Sequence, residues 1–178
     1  VANVFGTVDG KLDRWVREFF VLIPKKNSKT TTGAAIMVTA LLLNERPNAE
    51  FLLIGPTQEI ADTGFTQAKG MIEADKVLAA IFHIQDHQKK ITHRRTGAFL
   101  KIKTFDVRVM TGSKPVGVLV DEIHVLGQFA YAAKVLQQVT GGIIANPEGF
   151  VIYITTQSDG PPSGVFKSKL EMARRIRD

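Results

Sequence analysis

The stretch that decides the fold is FFVLIPKKNSKT, residues 19–30. Its first five residues are apolar without a break, which is typical of a parallel strand covered on both faces. A basic and polar turn follows, and from Thr30 to Asn44 the apolar residues recur at helical spacing until Pro47 ends the pattern. The stretch therefore predicts a strand, a loop and a helix in succession, an arrangement in which backbone N–H groups at the helix start can meet an anion.

Three further apolar blocks predict buried strands of the same sheet: Phe51–Ile54, Val116–Val120 and Phe150–Ile154. Helical patterns lie between and beyond them: Thr57–Ala80, Gly127–Gln138 and Val165–Arg177. Thr57 is the expected N-cap of the first of these helices, and Gly141-Gly142 is the expected end of the second. Strands that alternate with helices are typical of an α/β fold with a mostly parallel central sheet flanked by helices.

Residues Lys89 to Val109 have a different pattern. Ile91–Arg95 and Ala98–Lys103 alternate in polarity on either side of the turn-like pair Thr96-Gly97. Such alternation about a short turn predicts a β-hairpin, inserted here between the helices and the third strand.

Composition narrows the class of protein. A length of 178 residues corresponds to about one domain, and 44% hydrophobic with 22% charged residues is ordinary globular usage. No apolar run reaches the roughly 18 residues that a membrane span needs. The absence of cysteine excludes disulfides and thiolate metal sites, and an intracellular setting is expected. A net charge of +6 favours polyanionic partners such as nucleotides or nucleic acid.

Lys29 and Thr30 lie where the predicted loop meets the predicted helix. A phosphate-binding loop needs a lysine as a point charge and a following hydroxyl to hold Mg²⁺. The glycines of the pattern GxxxxGK followed by Ser or Thr are replaced by Ile23 and Ser28. Ser28 is small enough for close backbone approach, although a positive φ there costs more than with glycine. The alternative interpretation is an ordinary basic surface turn.

A second motif ends the third predicted strand, where Val118-Leu119-Val120 leads into Asp121 and Glu122. This matches the Walker B arrangement, in which a buried parallel strand brings an aspartate to its carboxyl end, next to Mg²⁺ at the phosphate loop. The adjacent glutamate is then positioned to polarise an attacking water. Taken alone, the pair is also consistent with acids at the start of a helix. The order of the two motifs within one sheet favours a site for nucleotide hydrolysis.

A third polar group follows the fourth predicted strand, at Thr155 to Ser158. Hydroxyl and amide groups at the carboxyl end of that strand are placed to sense a γ-phosphate and to report hydrolysis. The same four residues are also compatible with an ordinary loop.

Four segments in this order resemble the N-terminal ATPase domain of the large terminase of tailed bacteriophages: IPKKNSKTT from Ile23, GPTQEIA from Gly55, VGVLVDEIH from Val116 and YITTQS from Tyr153. The likeness runs from about Phe19 to Ser158. It implies a RecA-like additional-strand P-loop NTPase that uses ATP and Mg²⁺. It further implies a homo-oligomeric ring that acts on the portal protein with the small terminase subunit, and that drives double-stranded DNA into a procapsid in the host cell cytoplasm.

The resemblance also implies roles for individual residues. The nucleotide-binding residues are Pro24, Lys25, Lys26, Asn27, Ser28, Lys29, Thr30 and Thr31. Lys29 and Glu122 are the catalytic residues, and Thr30 and Asp121 hold the metal. The coupling residues are Thr155, Thr156, Gln157 and Ser158. Arg94 and Arg95 are candidates for the trans-acting arginine of the ring or for a DNA contact, although a solvated basic hairpin is the alternative.

We expect residues 1–178 to form one ATPase domain, with a core at about 19–158 and a linker helix at 165–178. Beyond Ser158 the acids Asp159, Glu171 and Asp178 do not form an acidic strand pattern. The C-terminal nuclease that the family joins to this domain, and its nuclease activity, are therefore not expected from this chain.

Two other functions compete with DNA packaging. Asp121-Glu122-Ile123-His124 reads as a DExH box, which suggests a helicase-type translocase, but such a helicase needs a second RecA-like domain for which 178 residues leave no room. A basic nucleic-acid-binding module with a degenerate nucleotide site is the other alternative, because Ile23 and Ser28 replace the motif glycines.

Two side-chain pairings have simple alternatives. His83 and His87 are four residues apart, a spacing that places two metal ligands on one helix face, but surface histidines are the favoured interpretation. Trp15 lies between Arg14 and Arg17 upstream of the first strand, where it either contacts an adenine or packs against the protein.

Overall fold

The computed structural model describes residues 2–6, 14–106, 114–144 and 146–177. The helices are α1 Ala2–Gly6, α2 Lys29–Leu43, α3 Gln58–Glu73, α4 Lys76–Ile81, α5 Ile123–Leu126, α6 Ala132–Ile144 and α7 Gly164–Arg177. The strands are β1 Glu18–Leu22, β2 Glu50–Gly55, β3 Phe82–Gln85, β4 Lys90–His93, β5 Phe99–Thr104, β6 Gly117–Asp121 and β7 Phe150–Thr155. A 3₁₀ turn, Asp86–Gln88, joins β3 to β4.

The seven strands form one sheet in the order β1-β7-β6-β2-β5-β4-β3. The first five are parallel, whereas β4 and β3 are antiparallel to their neighbours. The mostly parallel sheet and the hairpin of β4 and β5 are thus confirmed. The hairpin does not stand apart from the sheet, because β5 pairs with β2 over its whole length, from Glu50 opposite Phe99 to Gly55 opposite Thr104.

Hydrophobic cores lie on both faces of the sheet. Because side chains alternate along a strand, β2 sends Phe51 and Leu53 to one core and Leu52 and Ile54 to the other. Helices α2 and α3 cover the first face, and α5, α6 and α7 cover the second. Both faces of β2, β6 and β7 are buried, as the apolar blocks predict.

The prediction that the first apolar block is a buried central strand is wrong. β1 is the edge of the sheet and pairs only with β7, so its residues are partly exposed and Leu22 is 44% exposed. Apolar character within a strand does not reveal its place in the strand order, because that order depends on pairing with residues far away in the chain.

The bounds predicted for the helix at Gly127–Gln138 are also wrong. α6 begins at Ala132 and continues through Gly141-Gly142 to Ile144. Buried Val135 and Val139 hold this helix to the sheet, and that packing overrides the cost of about 1 kcal/mol for each interior glycine. Gly127 instead ends the short α5, where an added Cβ would lie 2.5 Å from the carbonyl oxygen of Ser163.

The helices over residues 57–80 and 165–177 are confirmed. The Thr57 side chain accepts a hydrogen bond from the N–H of Ile60 and so caps α3. In α7, Val165, Phe166 and Leu170 are buried in the second core, while Lys167, Arg174 and Arg175 are exposed. No helix in the described part of the chain is both long and apolar enough to span a membrane.

The short strand β3 is missing from the sequence prediction, since its four residues follow directly on α4. His83 lies on β3 and His87 in the 3₁₀ turn, so the two histidines do not share a helix face. Within the described ranges, no group of three His, Asp or Glu side chains converges as a metal site would require.

Candidate active site

The loop between β1 and α2 has the conformation of a phosphate-binding loop despite its missing glycines. Ser28, the N-cap of α2, has φ 49° and ψ 32°, a left-handed conformation that favours glycine. Lys26 also has a positive φ, of 67°. The expectation that a positive φ falls on Ser28 is therefore confirmed. The loop lies at the carboxyl ends of the parallel strands, where α/β sheets bind ligands.

The two sequence motifs meet at this edge of the sheet. Thr30 Oγ1 donates a 2.7 Å hydrogen bond to Asp121 Oδ2, and the N–H of Glu122 donates to Asp121 Oδ1 at 2.9 Å. Asp121 is fully buried at the end of β6. Burial raises the pKa of Asp121, although the hydrogen bond from Thr30 and the nearby Lys29 charge counteract part of that rise.

Thr30 and Asp121 fit a magnesium site. Carboxylate and hydroxyl oxygens are the ligands that Mg²⁺ prefers in phosphate-binding sites. The burial that raises the pKa of Asp121 means that protein groups alone leave this negative charge poorly compensated. A divalent cation would supply the missing positive charge at the oxygen that Thr30 now contacts.

Glu122 and Lys29 form the central contact of the site. Lys29 Nζ lies 2.5 Å from Glu122 Oε1, and the two side chains are only 14% and 16% exposed. Glu122 has a left-handed backbone, with φ 53° and ψ 47°, which turns its side chain away from the line of β6. Its second oxygen, Oε2, is buried and receives no hydrogen bond from the described residues.

His124 joins this group, although sequence reasoning assigned it no role beyond the DExH reading. Its Nδ1 lies 3.2 Å from Glu122 Oε2 and 3.0 Å from Thr155 Oγ1. The only sequence signal for this role was the position of the histidine two residues after the glutamate.

The four predicted coupling residues have different environments. Thr155 and Thr156 are buried at the end of β7, and Thr155 contacts His124. Thr156 Oγ1 has no hydrogen-bond partner in the described ranges. Gln157 is exposed, and Ser158 donates to the carbonyl of Gly160 within its own loop. Of the four, Thr155 is therefore the residue that connects β7 to the turn after β6.

The remaining loop residues make contacts around the site. The amide of Asn27 donates to the carbonyls of Pro24 and Lys25, which braces the loop. Thr31 Oγ1 donates to Gln67 on α3 at 3.2 Å. Lys25 forms an exposed 2.7 Å ion pair with Asp159, which sequence reasoning missed. The hydrogen bond from Lys25 lowers the pKa of Asp159.

Other candidates from the sequence do not join this site. Arg94 and Arg95 are exposed in the turn before β5, so they lie at the edge of the sheet opposite the phosphate loop. Arg14 and Arg17 lie before β1, at that same opposite edge, and donate to backbone carbonyls such as those of Glu148 and Gly149. Trp15 is 79% exposed. The trans-acting role of Arg94 and Arg95 stays a prediction.

A mostly parallel sheet with a lysine-bearing loop before α2 and a buried aspartate after β6 defines a P-loop NTPase fold. The family model described as "Terminase large subunit, ATPase domain" matches residues 1–173. The chain therefore belongs to the terminase large-subunit ATPase domain family.

Solved structures support the same fold. The HK97 bacteriophage large terminase superimposes with a TM-score of 0.80 at 20% identity, over 99% of this chain and 36% of that one. The ATPase domain of the Thermus phage P74-26 large terminase gives 0.62 at 17% identity, over 82% and 61%. A large terminase from a thermophilic bacteriophage, solved with ADP, gives 0.56 at 13% identity, over 78% and 33%. No curated protein matches the chain in sequence.

The left-handed conformation of Ser28 predicts the effect of restoring the motif glycine. Relief of roughly 1–2 kcal/mol of backbone strain outweighs the entropy that glycine loses on folding, roughly 0.5–1 kcal/mol. Ser28→Gly is therefore expected to raise the free energy of unfolding by up to about 1 kcal/mol, measured by urea denaturation. Ser28→Ala, which keeps the strain, is the matched control. A glycine variant less stable than the alanine variant would contradict the strain argument.

Proposed function

We propose that this chain hydrolyses ATP with Mg²⁺ as the motor domain of a large terminase, powering the movement of double-stranded DNA into a viral procapsid. The observation that carries the proposal is the meeting of Lys29, Thr30, Asp121 and Glu122 at the carboxyl edge of the sheet. Membership of the terminase ATPase family supports it, as does the related large terminase solved with ADP.

The geometry assigns each residue a step in hydrolysis. The loop N–H groups and Lys29 bind the β- and γ-phosphates of ATP. Thr30 and Asp121 would hold Mg²⁺, which neutralises phosphate charge when bound. To reach the γ-phosphate, the Lys29 ammonium has to leave Glu122 Oε1, which it contacts in this structure. That departure frees the Glu122 carboxylate to orient a water for in-line attack.

Neither alternative gains support from the structure. The family match is to terminases and not to helicases, although residues 121–124 spell a DExH box. A binding module without chemistry does not require Thr30, Asp121, Lys29 and Glu122 to converge around one point. Hydrolysis measurements separate that second alternative from an ATPase.

Assembly and location are part of the same proposal. We infer a homo-oligomeric ring on the portal protein, acting with the small terminase subunit in the host cell cytoplasm. In such a ring, Arg94 or Arg95 would reach a neighbouring subunit's nucleotide, since both lie far from the nucleotide site of their own chain. The coupling role of Thr155 to Ser158 belongs to this proposal as well.

Steady-state hydrolysis of Mg·ATP tests the proposed chemistry. Glu122→Gln is expected to lose roughly 100-fold or more in kcat while still binding ATP, because it removes the base but not the phosphate loop. Lys29→Ala is expected to lose both binding and turnover. Wild-type turnover per subunit should rise with protein concentration if the ring completes the site.

Glu171→Gln is the matched control, since Glu171 is exposed on α7 and pairs only with Lys167. Equal turnover in Glu122→Gln and Glu171→Gln would remove Glu122 from the reaction. Absence of ATP binding by the wild type at every concentration would favour the binding module.

A basic face of the sheet is the best candidate for DNA contact. Lys90 and Lys101 are directly opposite each other on β4 and β5, and no carboxylate in the described ranges lies within 4 Å of either ammonium group. Like charges opposite each other destabilise a sheet unless an anion lies between them. Lys103 extends the same face of β5, and the Lys90 ammonium lies 4.3 Å from the centre of the Phe99 ring.

This face predicts a salt-dependent contribution to DNA binding. The double variant Lys90→Gln/Lys101→Gln is expected to weaken binding to duplex DNA and to lower the slope of log K against log salt by about 2. Lys76→Gln, an exposed lysine on α4 over the other face, should change neither. Fluorescence anisotropy at several salt concentrations measures both quantities. An unchanged slope in the double variant would exclude phosphate contacts by these two lysines.

A further inference from the structure

His124 stands between the catalytic carboxylate and the strand that ends at Thr155. It is the second residue of α5, the short helix that starts directly after Glu122. Its side chain is 16% exposed, and its ring packs edge-on against Phe166 of α7, with centroids 6.2 Å apart. One imidazole thus contacts the turn after β6, the end of β7 and α7.

Hydrogen-bond accounting fixes the role of the histidine Nδ1 atom. The single hydroxyl proton of Thr155 is donated to the carbonyl of Thr156, at 3.1 Å. Thr155 Oγ1 also accepts from the backbone N–H of His124, at 3.2 Å, which leaves it one lone pair. The 3.0 Å contact with His124 Nδ1 therefore requires Nδ1 to carry the proton and to donate it.

That N–H has a second acceptor within reach. Glu122 Oε2 lies 3.2 Å from Nδ1, yet it receives no hydrogen bond from the described residues. A buried carboxylate oxygen without a partner is uncommon in folded proteins and points to an arrangement that changes during function. The charge of Glu122 is meanwhile compensated through its other oxygen, by Lys29.

We infer that His124 is a positioning residue that exchanges its Nδ1–H between Thr155 and Glu122, and so links the nucleotide state to β7. The inference rests on the proposed function. While Lys29 pairs with Glu122, the proton stays on Thr155. Once Lys29 moves to the γ-phosphate, Glu122 loses its counter-ion, and hydrogen bonds to an ionised acceptor are roughly twice as strong as neutral ones. The proton then turns to Oε2, which orients the carboxylate for the attacking water and releases Thr155.

The released Thr155 gives the exchange a mechanical outcome. Thr155 is the last residue of β7 and begins the segment that leads through Ser163 into α7. Ser163 donates to the carbonyl of Gly127 at the end of α5, so α5 and the start of α7 are tied together. A change in the bond between His124 and Thr155 therefore acts on α7 through two routes, the strand end and the Phe166 ring.

Two substitutions at His124 separate the ring nitrogens. The side-chain amide of His124→Asn lies close to the position of Nδ1, whereas the amide of His124→Gln lies close to that of Nε2. We expect the Asn variant to keep kcat within about threefold, and the Gln variant to lose roughly tenfold, the effect of one charge-assisted hydrogen bond. The KM for ATP should stay within about twofold in both, because no phosphate contact changes.

A double-mutant cycle tests the link to Thr155. Thr155→Val is expected to reduce stimulation of ATPase activity by duplex DNA in the wild type, and to have no further effect on the His124→Gln background. His83→Asn is the control, since His83 is exposed on β3. Thermal unfolding of each variant identifies any loss due to misfolding, and the better-tolerated Asn variant then decides the result.

Nitrogen-15 NMR of the imidazole groups provides a readout that does not depend on turnover. The protein has four histidines, so substitution assigns the signals. The inference requires a proton on His124 Nδ1 in the nucleotide-free protein, and an Nε2-only tautomer overturns it. Equal kcat in the Gln variant and the wild type, or equal loss in the Asn and Gln variants, also overturns it. A wild type that shows the Nδ1 proton but no hydrolysis supports the contact and counts against the proposed function instead.

Discussion

The ion pair between Lys29 and Glu122 is the contact on which the arrangement of the site depends. Both side chains are largely buried, and a buried charge without a partner is costly, so each group holds the other in place. Asp121, buried beside them, has its own charge only partly balanced by Thr30 and Lys29. The nucleotide-free site therefore has too little positive charge for its two carboxylates. Phosphates with a divalent cation can bind there only by exchanging partners with Lys29, which makes ligand binding and the activation of Glu122 a single event.

Backbone strain is concentrated on the two turns that supply these charges. Ser28 and Glu122 both adopt left-handed conformations that non-glycine residues rarely take, and each directly precedes a helix. Strain of this kind persists only where surrounding structure determines the conformation, and it clusters at functional sites. Here the parallel pairing of β6 with β2 and β7 fixes one turn. The other is fixed by α2, which is anchored through Met37 and Leu41 in the first core.

The sequence predicted the site better than the surroundings of the site. Local patterns were sufficient for β2, β6, β7 and α2, and parallel strands must end at one edge, so Lys29 and Asp121 had to meet. The edge position of β1 could not be predicted, because it depends on pairing between distant residues. The bounds of α6 were missed because packing overrode its glycines. The contact of His124 with Thr155, 31 residues away, comes from the register of β6 and β7, which no local pattern encodes.

This account makes the exchange of partners by Lys29 the first step of the motor cycle of a terminase ATPase domain. The most direct test is a pair of crystal structures of this chain, without nucleotide and with Mg·ATPγS. The account predicts that Lys29 Nζ, 2.5 Å from Glu122 Oε1 in the nucleotide-free protein, moves to the γ-phosphate and leaves the carboxylate free. A nucleotide-bound structure in which Lys29 still pairs with Glu122 would contradict it.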